Sequence, residues 1–102
     1  MKIDPSVLSE AIVVWIGKAG LSPIPRPDDS RVISRFGEEA SLDILPLVRR
    51  MFDDFYATDA IHRVADNDEM LEVAAADFRA LHPDISADAV DALKWSMSWD
   101  YR

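Results

Sequence analysis

The 102-residue chain contains no cysteine. Disulfides, thiolate metal sites, iron–sulfur clusters and a cysteine nucleophile are therefore all excluded. Glycine is scarce, at three residues, none clustered, so no glycine-rich phosphate loop can be built. No Gly-x-Ser-x-Gly elbow is present to expose a nucleophilic serine. Lysine numbers only three and histidine two. The longest apolar run, Ala11 to Ile16, is far too short to cross a bilayer. The opening residues, Met1-Lys2-Ile3-Asp4-Pro5, do not read as a secretory signal, and the expected location is cytoplasmic.

Acid is what the chain has in excess. Nineteen Asp and Glu face eleven Lys and Arg, for a net charge of −8. The imbalance is one-sided. Residues 1–50 hold seven basic and seven acidic groups, whereas residues 51–102 hold four and twelve. A surface of this sign repels phosphate backbones, which argues against direct nucleic-acid binding, and it steers basic partners. The plainer reading is that the acid keeps a small protein soluble.

The length predicts one domain spanning 1–102. Such a globule should expose roughly 5,800 Å² and bury about 65% of its unfolded surface. The apolar residues recur at helical spacings. Asp4 and Pro5 mark a helix start, and Val7, Leu8, Ala11, Ile12, Trp15 and Ile16 make its inward stripe. Val13 and Val14 add apolar surface on a second side, so this helix is expected at the centre, running to about residue 19 with Gly20 as its stop. Prolines 23, 25 and 27 then forbid helix and predict an extended connector.

A short helix is expected from Asp28 or Asp29 to Phe36, with Val32, Ile33 and Phe36 inward. Residues 38–42 read as a separate turn, and the next long helix as starting near Asp43 with Pro46 in its first turn. The alternative is one longer helix kinked at Pro46. Leu45, Val48, Phe52 and Phe55 form its stripe. Thr58 or Asp59 could cap a helix carrying Ile61 and Val64, interrupted by Asp66-Asn67-Asp68. A further helix runs through Met70, Ala74, Phe78 and Leu81 to Pro83, and Ser86 caps the last one. The alternation Trp95, Met97, Trp99, Tyr101 is a strand period. With no second strand to pair, helix is expected, fraying after about residue 98. The predicted fold is an all-α single-domain bundle of five or six helices with a Pro-rich connector.

No catalytic constellation stands out, and no enzyme and no cofactor is predicted. Asp59, His62 and Asp66 share metal-ligand spacing on a continuous helix, but they read better as a solvated polar face. Asp53 and Asp54, adjacent on a helix, diverge by about 100° and suit no shared acid–base work. Arg26, Arg31 and Arg35 could form a basic patch, but pairing with acids of the same chain is the stronger expectation. The remaining signal is the aromatic end. Trp95, Trp99 and Tyr101, with Asp88, Asp91 and Asp100, have the make-up of a binding patch: aromatic anchors in an acidic rim. The expected partner is another protein with a basic surface. An inhibitor or immunity-type role is the leading reading, and a homo-oligomeric regulatory or structural subunit the alternative.

Overall fold

The computed structural model describes residues 3–18, 20–57, 59 and 63–100. Among these are five helices and no strand: α1 (Pro5–Ile16), α2 (Asp29–Phe36), α3 (Glu38–Tyr56), α4 (Asn67–Leu81) and α5 (Ala87–Asp100). The accessible surface is 6062 Å², close to the value expected from mass. The fold is the small all-α bundle that the periodicity predicts. Helix α1 is central, packing on α2, α3 and α5, and α4 closes the other side of α3 and α5.

The helix starts follow from local chemistry. Asp4, Asp28 and Asp66 each turn a carboxylate back onto the backbone N–H two residues later. Ser86 accepts from Ala89 N–H at 3.2 Å and caps α5. Between them the stripes interlock: Ile12 and Ile16 of α1, Val48 and Phe55 of α3, Phe78 of α4, Leu93 and Met97 of α5 are all buried. Edge-on rings link α1 to α3 through Trp15 and Phe52 (5.2 Å) and α3 to α4 through Phe55 and Phe78 (5.6 Å).

Three features differ from the sequence expectation. Helix α1 ends at Ile16, not near residue 19, because Gly17 adopts φ 94° and turns the chain away. Every carbonyl of the last turn is then taken. Gly17 N–H donates to Val13, Arg31 Nε to Val14, Asp28 N–H to Trp15 and Arg26 N–H to Ile16. The Pro-rich connector thus folds back over the end of α1.

The second difference is α3, which is continuous from Glu38 and carries Pro46 inside it. Neither a separate turn over 38–42 nor a start at Asp43 occurs. Pro46 is on the exposed side, where water can reach the Leu42 carbonyl that the missing N–H leaves free. The third concerns α2, where Val32 is buried and Phe36 half-buried, but Ile33 faces out.

The expected helix around Ile61 and Val64 falls largely on residues 58 and 60–62, outside the described residues. No described helix is long and apolar enough to cross a membrane.

Candidate functional site

Two helices build the candidate site, and α5 provides its face. Its buried positions are Ala89, Val90, Ala92, Leu93, Ser96 and Met97. At about 100° per residue, Asp88, Asp91, Trp95 and Trp99 fall within an arc of about 80° on the opposite side. The sequence left open which aromatic face would turn inward. The core takes Leu93 and Met97, and the tryptophan face lies outside. Trp95 is half-buried against the core margin, while Trp99 is 39% exposed.

Helix α1 supplies the second wall. Ser9, Glu10 and Val13 of α1, with Lys18 just beyond it, face Asp88 and Asp91 across a groove of about 520 Å³. One end of the groove is fixed by a direct link: Ser86 N–H donates to the buried Ser9 hydroxyl at 2.9 Å. This bond joins the start of α5 to the middle of α1. At the other end the Lys18 ammonium lies over the Trp95 ring, 5.4 Å from its centroid.

The charges in this groove are unequal. Glu10 is compensated by Arg35, whose Nε lies 2.7 Å from Oε2. Asp88 and Asp91 are exposed and have no ion pair among the described residues. Asp88 is in the first turn of α5, where the helix dipole favours its charge. Three residues apart on a helix, the two carboxylates stand side by side. They can hold a guanidinium or ammonium, with the exposed Trp99 on the same face of the helix.

The other two predicted residues do not join this face. Asp100 accepts a hydrogen bond from the Tyr56 hydroxyl at 2.6 Å, on the side of α5 that meets α3. Ser96 is 2.9 Å from the same hydroxyl. Tyr101 lies outside the described residues. Glu10, Lys18 and Ser9 were not anticipated as site residues. Their signal was visible as a polar strip, Ser6, Ser9 and Glu10, along one side of an otherwise apolar α1.

Most of the other charged residues that the sequence singled out have structural partners. Arg31 binds the end of α1 and lies 3.9 Å from Asp28, and Arg35 pairs with Glu10. Arg35 is thereby paired with an acid of its own chain, as its sequence context suggested, while Arg31 chiefly binds backbone carbonyls. Asp59 pairs with Arg63 at 2.7 Å and Asp66 caps α4. His62 lies outside the described residues. No group of three or more metal-ligating side chains gathers among the described residues. His82 is 2.8 Å from Asp54, a link between α4 and α3. Compared with known protein families, with curated proteins and with solved structures, the chain matches none.

Proposed function

We propose that this protein is a small, non-catalytic binding module whose α5 face captures a basic surface on another protein. One observation carries the reading: Asp88 and Asp91, with no ion pair among the described residues, stand beside Trp95 and Trp99 on a single helix face. Several acids are neutralised within the chain, as in Arg35–Glu10, Arg49–Asp29 and Lys94–Glu72. Asp88 and Asp91 are among those that are not, and they are the ones that share a helix face with two tryptophans. Unpaired carboxylates at a rim speed the approach of a cationic partner, and aromatic anchors at its centre slow dissociation.

Occlusion of the partner's own working surface is the role we assign, as in an inhibitor or immunity protein acting on a nuclease or toxin. A basic surface built to hold phosphate is the natural target of such a patch.

The test begins with affinity capture from source cells at low and high salt, followed by identification of the retained protein. With that partner purified, Trp99→Ala should weaken binding at least about tenfold. Asp88→Asn with Asp91→Asn should slow association and flatten its salt dependence. Inhibition of the partner's activity should fall in parallel. An affinity unchanged by all three substitutions would remove the α5 face from consideration.

A further inference from the structure

A second surface, sharing no residue with the α5 face, lies on the outer side of α3. It centres on Leu42, which is 76% exposed, with Pro46 one turn on and Ile33 of α2 (37% exposed) beside them. These residues line a groove of about 670 Å³. A leucine this open on a helix surface is unusual only in company, and here three apolar side chains line one groove.

The charges around this patch reverse sign along the helix. Glu38 and Glu39 stand at its N-terminal end, and Arg49 and Arg50 beyond its C-terminal end, all four exposed. Glu39 and Arg50 are eleven residues apart, about three turns, and so lie on one side of the patch. Glu38 and Arg49 have the same separation and lie on the other side. The midpoints of both pairs coincide, within one residue, with the midpoint of Leu42 and Pro46.

Such a helix face is complementary to itself. An antiparallel two-fold packing of α3 on α3 sets Glu39 against Arg50 of the second copy, Glu38 against Arg49, and Leu42 near Pro46 at the centre. A two-fold axis makes each contact occur twice. Arg49 already holds Asp29 within its own chain. Its guanidinium has donors to spare for a second carboxylate. Arg50 and Glu39 have no ion pair among the described residues.

We propose that this α3 face is a homodimer contact whose occupant is a second copy of the chain, packed antiparallel about Leu42 and Pro46. The sequence of charges is what selects this partner: any other orientation of the same two helices sets acid against acid or leaves the arginines unmatched.

Sedimentation equilibrium over a range of concentrations tests it, with far-UV circular dichroism and melting as folding controls. The wild-type chain should show a monomer–dimer equilibrium. Leu42→Asp should weaken the dimer at least about tenfold. Glu39→Arg alone and Arg50→Glu alone should each weaken it, because each places like charges face to face. Mixing those two single variants should restore a dimer, since every contact in the mixed pair is again opposite in sign. The double variant Glu39→Arg/Arg50→Glu should dimerise with itself. A wild-type chain still monomeric at about 1 mM overturns the proposal. So does a dimer indifferent to Leu42→Asp, or one that the mixture and the double variant fail to rescue.

Discussion

Arg31 closes the C-terminal end of α1: its Nε donates to the Val14 carbonyl at 3.0 Å, seventeen residues back in the chain. Its Nη2 reaches the Trp15 carbonyl at 3.1 Å and also the Arg26 carbonyl of the connector. One guanidinium therefore joins the central helix, the Pro-rich segment and α2. Replacing Arg31 by Met should destabilise the fold by about 1–3 kcal/mol, because partly buried carbonyls lose a charged donor. Lysine should recover little, since a single ammonium cannot reach three carbonyls in a plane. Chemical denaturation of the three proteins measures both effects.

Gly17 stands against the same guanidinium. A Cβ built on it would lie 2.8 Å from Arg31 Nη2 and 2.8 Å from Ser22 Cβ, at a backbone φ of +94°. Gly17→Ala should therefore cost about 1–3 kcal/mol, from the left-handed backbone and the contact together. Gly20, also at positive φ, meets nothing within 4 Å, and Gly20→Ala should cost less. Paired thermal melts distinguish the two glycines.

Acid should weaken the helix starts before it reaches the core. Asp4 is held below the usual carboxylate range by the Ser6 hydroxyl and then the Ser6 backbone N–H. Asp28 is lowered in the same way by Ser30, and Glu72 by the Lys94 ammonium. A folded-state pKa below the unfolded one means that these groups add stability above the unfolded value. That stability is lost as pH falls from about 4 through the folded pKa. The melting temperature should decline over this range. The decline should be shallower in Asp4→Asn and Asp28→Asn, which keep a capping oxygen but do not titrate.

Burial separates two large apolar residues sharply. Phe78 is 1% exposed and packs against Phe55 and His82. Phe78→Ala should cost about 3–5 kcal/mol. Leu42→Ala, at 76% exposure, should change monomer stability by less than about 0.5 kcal/mol. Urea titration at low protein concentration reads both.

Much of this architecture was legible in the chain. Helix starts depend on one side chain and the backbone beside it, so Asp4, Asp28 and Ser86 announced them. Inward stripes depend on a fixed 3.6-residue period, so Ile12, Val48 and Phe78 could be placed in the core. The acidic residues Asp88 and Asp91 and the two tryptophans could be nominated as a group, because their spacing sets them on one side of a helix.

Tertiary contact decided the rest. Gly17 stops α1, but the donors that take its last carbonyls, from Arg31, Asp28 and Arg26, come from farther along the chain, and no local pattern says which will arrive. Pro46 could open a helix or sit inside one; its exposed position in α3 settled the matter in favour of a continuous helix. Asp100 looked like a neighbour of Trp99 but turns to Tyr56, forty-four residues away. The groove beside Asp91 exists because Ser9 and Ser86 meet across seventy-seven residues. Period and capping determine what each helix is and which way it faces. Which polar groups meet between helices follows only from how the packed faces align, and that alignment is a property of the whole core.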